Sequence, residues 1–131
     1  MAELIVALDV SSTAEVKQVV EMLGDSVSFY KIGLELFSAE GPDVVRAVTA
    51  RNKRVFLDLK LHDIPRTVER AVKSGALLGV DLMTIHSVGG RAMIRAAKEA
   101  ALSSGSKVPK ILAVTVLTSL DQNDLTDLGV A

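Results

Sequence analysis

Five short apolar runs, separated by helical patterns and each ending on or carrying a polar residue, constrain this chain more than any other feature. Leu4–Leu8, Ser28–Gly33, Arg54–Lys60, Leu82–His86 and Lys110–Thr115 have the length and β-branched content of strands. The first helix is expected from about Ser12 to Met22, opened by Ser12 and Glu15 at capping-box spacing and closed near Gly24. The second starts near Pro42, a residue suited to a first helical turn, and runs to about Asn52. The third spans Pro65 to about Leu78-Gly79, and the fourth, after Gly89-Gly90, runs from Arg91 to Leu102. A short capped turn is expected from Ser119 to Leu128, with Ser119 and Gln122 again at capping-box spacing.

Strand and helix alternating through short connections is the pattern of a parallel α/β fold. Two architectures fit it, an open doubly wound sheet and part of a closed barrel. An open sheet usually places a glycine-rich phosphate loop after its first strand, whereas here that strand runs into Asp9-Val10-Ser11-Ser12. A barrel instead assembles its site from the C-terminal ends of several strands. Asp9, Lys31, Asp58 with Lys60, His86 and Thr115 stand at those ends. The expectation is therefore a parallel (β/α)8 TIM-type barrel, here about its first five strands and four helices. Residues 1–131 would form the N-terminal part of one domain. Eight such units would need roughly 220 residues, within the usual barrel range. A hydrophobic content of 49% with only 3% aromatics suits strands buried on both faces and packed with Val, Leu, Ile and Ala. A half-barrel leaves strand edges and interior residues open, which favours self-association.

Charge and composition narrow the partners. Fifteen basic and sixteen acidic residues give a net charge of −1, with no basic run or aromatic platform, so nucleic acid is not expected as a partner. The absence of cysteine removes disulfides, zinc–thiolate sites and thiol nucleophiles. Met1-Ala2-Glu3-Leu4 lacks the basic region of a signal peptide, and no apolar run reaches membrane-spanning length. A cytoplasmic protein with no membrane partner is the expectation.

The central motif is Asp58-Leu59-Lys60-Leu61-His62-Asp63. Alternation along a strand puts Phe56, Asp58 and Lys60 on one face, and Val55, Leu57 and Leu59 on the other. The apolar set packs under helices, which directs Asp58 and Lys60 to the barrel mouth. Buried charges are costly unless paired, and Lys31, Asp58, Lys60 and Asp63 would compensate one another. A lysine flanked by carboxylates stays protonated and suits a proton donor. A carboxylate held by lysines stays charged and can press against an anionic substrate group. For an isolated Asp-x-Lys, a solvated edge pair is the commoner meaning, and Asp63 before Ile64-Pro65 could simply start a helix. Asp9 and Lys31, ending neighbouring strands in apolar surroundings, favour the functional reading.

Phe56-Leu57-Asp58-Leu59-Lys60-Leu61-His62-Asp63-Ile64-Pro65, followed by Thr67 and Val68, resembles the signature of the orotidine 5'-phosphate decarboxylase family. Ala7-Leu8-Asp9, Tyr30-Lys31-Ile32-Gly33 and Thr115-Val116-Leu117-Thr118-Ser119 resemble that family's other blocks, in the same order. The resemblance implies decarboxylation of orotidine monophosphate to uridine monophosphate in pyrimidine biosynthesis, with no cofactor and no metal. Lys60 would protonate C6 of the pyrimidine, and Asp58 would sit beside the substrate carboxylate. Lys31 and Asp9 would contact ribose hydroxyls, Ile64 would join the substrate-binding set, and Thr118 would lie near the pyrimidine edge. Asp63 and Thr67 would reach into the neighbouring subunit's site, making the working unit a homodimer.

The same superfamily contains the metal-dependent hexulose-phosphate synthase and keto-gulonate-phosphate decarboxylase, which share an Asp-x-Lys-x-x-Asp pattern. They carry a magnesium-holding glutamate on strand two, where this sequence has Lys31. A second alternative is a non-catalytic, self-associating half-barrel. The family's phosphate-gripping arginine and closing loop come from the second half of the barrel, so residues 1–131 alone are expected to show little or no turnover. His86 could equally support the site or be structural, and His62 reads as loop support. Gly89-Gly90 reads as a tight turn more readily than as an anion cradle, and the four methionines read as core filler.

Overall fold

The computed structural model describes residues 1–105 and 107–130. Its five strands form a single parallel sheet: β1 (Val6–Ala7), β2 (Phe29–Gly33), β3 (Arg54–Leu61), β4 (Leu82–His86) and β5 (Lys110–Val114). Their spatial order is the chain order, β1-β2-β3-β4-β5. That monotonic order decides between the two architectures, because a doubly wound sheet reverses direction at a switch point and this sheet does not. It has the connectivity of a barrel wall.

Among the described residues, six α-helices accompany the strands: α1 (Thr13–Leu23), α2 (Leu34–Glu40), α3 (Pro42–Thr49), α4 (Pro65–Leu77), α5 (Arg91–Leu102) and α6 (Gln122–Asp127). At α1, Ser12 caps the helix by accepting from the Glu15 amide, and Gly24 closes it with φ +47°. Glu15 in turn accepts from the Ser11 amide and the Ser12 hydroxyl.

Several boundaries differ from the sequence reading. β1 is two residues rather than Leu4–Leu8, since only Val6 and Ala7 pair with Tyr30 and Lys31 of β2. The single helix expected from Pro42 is preceded by another, α2, which begins directly at the end of β2. The two are separated at Gly41, whose φ of +68° breaks the helical path. The last helix is capped by Asp121, not Ser119. Asp121 accepts from the Asn123 and Asp124 amides, and Asp124 returns a bond from the Asp121 amide.

The core lies between the sheet and its helices. Val16 and Val20 of α1, Val44, Val45 and Val48 of α3, and Val68 and Val72 of α4 pack with the strand residues Tyr30, Ile32, Val55, Leu57, Met83 and Ile85. These side chains are essentially inaccessible to water, and burying each aliphatic one contributes roughly 1.5–3 kcal/mol. Two glycines pack closely against methionine tips, which would have to shift to admit a Cβ. A Cβ on Gly75 would fall 2.5 Å from Met83 Cε, and one on Gly89 would fall 2.2 Å from Met93 Sδ. Gly90 starts α5 at φ +91°. Both glycines of the Gly89-Gly90 pair thus have a packing or turning reason.

At the N-terminal ends of the strands, Asp81 knots three segments together. It accepts from the Val55 amide at 3.0 Å, pairs with Lys107 at 3.2 Å, and its carbonyl accepts from the Lys110 amide at 2.9 Å. The Asp81 charges thus tie the sheet together at the end opposite the C-terminal strand ends. No helix among the described residues is long and apolar enough to cross a membrane.

Candidate active site

At the C-terminal ends of β1, β2 and β3 a cavity of about 250 Å³ opens between Leu8, Asp9, Lys31, Glu35, Asp58 and Lys60, among others. Parallel register builds it. Lys31 lies beside Phe56 and Gly33 beside Asp58, so the polar ends of β2 and β3 come level with one another. Asp58 is only 8% exposed, a placement that demands paired hydrogen bonds.

Its partners supply them. Lys60 Nζ donates to both Asp58 oxygens, at 3.0 Å to Oδ1 and 2.9 Å to Oδ2. Lys31 Nζ lies 3.6 Å from Oδ2. The Thr84 hydroxyl donates to Oδ1 at 2.7 Å. Burial, the largest single influence, pushes the Asp58 carboxyl upward. The Thr84 hydrogen bond, the Lys60 hydrogen bond and charge, and the Lys31 charge together outweigh it and hold the group below the ordinary carboxylate range. Asp58 is therefore an anion at neutral pH, and two ammonium groups converge on it.

β3 does not reach Lys60 by regular alternation. Pairing with β4 steps from Leu57↔Met83 to Leu61↔Ile85, so β3 spends four residues where β4 spends two. Lys60 itself is left-handed, at φ +47°, a conformation that costs a residue with a Cβ about 1–2 kcal/mol. Its amide is deflected from the strand ladder and donates to Thr84 Oγ1 at 2.9 Å. The bulge turns the Lys60 ammonium back onto Asp58, a carboxylate only two residues earlier. Bulges commonly re-aim a side chain in this way beside active sites.

Of the residues singled out from sequence, Asp9, Lys31, Asp58 and Lys60 share the cavity. Asp63 does not join their charge network. It is exposed, and its Oδ1 accepts from the Ile64 amide at 2.7 Å. Ile64, 67% exposed, precedes α4, and Thr67 is exposed in the first turn of that helix. Thr118 is exposed in the turn after β5, outside the cavity lining. The His62 and His86 rings lie 5.4 Å apart, tying the loop after β3 to the end of β4.

Two contributors escaped the sequence reading. Glu35 enters the cavity because α2 follows β2 without a loop. Thr84, buried between Met83 and Ile85 and two residues before His86, is detectable as a polar residue on the inward-facing alternation of β4. Among the described residues, no group of three or more His, Cys, Asp or Glu side chains is arranged to hold a metal ion.

Known proteins resemble this chain in sequence and in fold. The family model described as Orotidine 5'-phosphate decarboxylase / HUMPS family matches residues 2–131. Orotidine 5'-phosphate decarboxylase from Carboxydothermus hydrogenoformans is 51% identical over 129 residues, covering 96% of this chain and 54% of that protein. The Nostoc sp. protein of the same name is 50% identical over 127 residues, covering 94% of this chain and 53% of that one. The crystal structure of orotidine 5'-phosphate decarboxylase from Lactobacillus acidophilus superposes with a TM-score of 0.90 at 40% identity, covering 98% of this chain and 59% of that chain. The chain thus spans about half the length of the curated relatives it matches. With its family motif on β3 and its five parallel strands superposing on a family structure, the chain belongs to the orotidine 5'-phosphate decarboxylase / HUMPS family.

Proposed function

We propose that the protein containing this chain decarboxylates orotidine monophosphate to uridine monophosphate and CO2, without a cofactor, as a cytoplasmic step of pyrimidine biosynthesis. The observation that carries this reading is the convergence of Lys60 and Lys31 on the buried, ionised Asp58 at the strand ends. In the reaction, the bond from C6 to the carboxylate breaks and CO2 departs. The electron pair left on C6 takes a proton from Lys60 Nζ, and solvent reprotonates the lysine. Asp58, charged and fixed, faces the substrate carboxylate. It disfavours that group more than the transition state in which its charge has moved to C6. Lys31 and Asp9 bind ribose hydroxyls, and Thr118 lies toward the pyrimidine edge.

The working unit in this reading is a homodimer. Exposed Asp63, Ile64 and Thr67, clustered at the start of α4, suit groups that complete a neighbouring copy's site. The 131 residues form the N-terminal part of one barrel domain, and the phosphate is gripped by residues outside this stretch. Barrels commonly hold phosphate near strands seven and eight. Against the metal-dependent alternative stand the two lysines on Asp58, which already neutralise the carboxylate a divalent cation would need.

The test measures intact mass and orotidine monophosphate decarboxylation on one purified sample expressed from the complete coding sequence, wild type against Lys60→Ala. The variant is expected to lose roughly 10³-fold or more in kcat, and residues 1–131 alone to show little turnover. Full activity in Lys60→Ala, or robust turnover by 1–131, would overturn the reading.

A further inference from the structure

We propose that Thr84 is a positioning residue: its hydroxyl holds Lys60 in the left-handed conformation and fixes the Asp58 carboxylate so that one oxygen faces both lysines.

The hydrogen-bond inventory leaves little freedom. Thr84 is 2% exposed, so its hydroxyl needs partners within the protein. A threonine hydroxyl has one proton to give and lone pairs to accept with. The Lys60 amide can only donate, so Thr84 Oγ1 accepts there, at 2.9 Å. Its proton is then committed to Asp58 Oδ1, at 2.7 Å. Oδ1 also takes one bond from Lys60 Nζ, which leaves Oδ2 as the oxygen that meets Lys60 at 2.9 Å and Lys31 at 3.6 Å. One side chain on β4 therefore constrains both the backbone and the charge partner of the lysine on β3.

The strain at Lys60 makes this dependence functional rather than incidental. A left-handed residue with a Cβ persists only where its surroundings hold it there. The register shift removes Lys60 from regular pairing with β4, and the Thr84 hydroxyl takes the place of the missing carbonyl. Valine has the same shape as threonine and the same preference for a strand, but can neither accept from Lys60 nor donate to Asp58. Serine keeps both bonds.

The experiment has two arms, because the kinetic arm rests on the proposed decarboxylation and the structural arm does not. In residues 1–131, the Asp58 carboxyl is titrated by carbon-13 NMR in wild type, Thr84→Val and Thr84→Ser. The charged and titratable groups around it are Lys60 on β3, Lys31 on β2, Asp9 after β1 and Glu35 of α2. Thr84→Val is expected to move the Asp58 titration upward and to speed hydrogen exchange at the Lys60 amide, while Thr84→Ser leaves both near wild type. In the complete protein, Thr84→Val is expected to lower kcat by roughly 10²-fold with a much smaller change in KM, and Thr84→Ser to restore most of the loss. A folded Thr84→Val with unchanged Asp58 titration and Lys60 exchange overturns the proposal. If that variant does not fold, the wild-type chain decides: a Lys60 amide exchanging as fast as an exposed one overturns it, and a protected one supports it. A shifted titration in a protein that does not decarboxylate orotidine monophosphate sustains the positioning role and sinks the proposed reaction instead.

Discussion

Replacing Asp58 by Asn tests whether the charge network stabilises this fold or merely occupies it. Breaking a fully buried ion pair by removing one partner typically costs 3–5 kcal/mol, whereas an exposed pair is worth about 0–1 kcal/mol. This site lies between those limits. The Asp58 side chain is 10% exposed, but those of Lys31 and Lys60 are 29% and 38% exposed and can rehydrate once the carboxylate is gone. Asparagine still accepts one hydrogen bond, so Thr84 or Lys60 keeps a partner. The expected loss for Asp58→Asn is therefore about 2 kcal/mol near pH 7, read from urea denaturation followed by circular dichroism.

The pH dependence supplies an independent check with a definite sign. A carboxylate whose folded pKa is depressed contributes stability above its unfolded value, and that contribution disappears as pH falls through the folded value. For Asp58 the lowered folded pKa places the loss below about pH 4, the ordinary carboxylate range. The gap between wild type and Asp58→Asn should stay constant from neutral pH down to that region and then narrow as wild type protonates. A variant as stable as wild type at pH 7, or a gap that survives full acidification, would refute the assignment of net stabilisation to these contacts.

Two other substitutions probe packing and capping. Tyr30 is fully buried, burial pushes its phenol pKa up, and its hydroxyl has no partner among the described residues. Tyr30→Phe is expected to raise stability by about 1 kcal/mol by removing an unsatisfied polar atom; a clear drop in melting temperature would reveal a partner for that hydroxyl. Asp121→Ala removes the cap of α6 and should cost that helix about 1 kcal/mol. Because α6 buries no side chain, the loss should speed exchange of the Asn123 and Asp124 amides without moving the global transition, and a lowered global transition would contradict that separation.

Much of the fold was legible because the parallel α/β pattern is written in local signals. Ser12 and Gly24 bracket α1, Pro65 starts α4, and the five apolar runs map onto five strands. What was not legible followed from tertiary pairing. β1 shrinks to two residues because pairing with β2, not apolar character, sets its length. Proline is a strong start signal, so the sequence points to a helix from Pro42, whereas Leu34–Glu40 announces itself with neither proline nor a capping side chain. At the last helix two capping-box spacings compete within three residues, and Asp121 wins with a carboxylate that accepts two amides.

The site shows the same division more sharply. Asp58 and Lys60 were expected to meet because strand alternation places them on one face, and they do meet. The route is different, since β3 departs from regular pairing between Leu57 and Leu61 and Lys60 turns left-handed. Alternation alone would set the two side chains in line along the strand, with the ammonium free to extend away from the carboxylate. The bulge folds the lysine back onto both carboxylate oxygens, and a partner on β4 accepts the amide this exposes. A rule read from one strand cannot contain that partner, which lies 24 residues further along. Sequences depart from their local rules where function demands a strained geometry and neighbouring structure compensates for it. The residue that compensates here, Thr84, is therefore as much a part of the candidate site as the two charges that the motif displays.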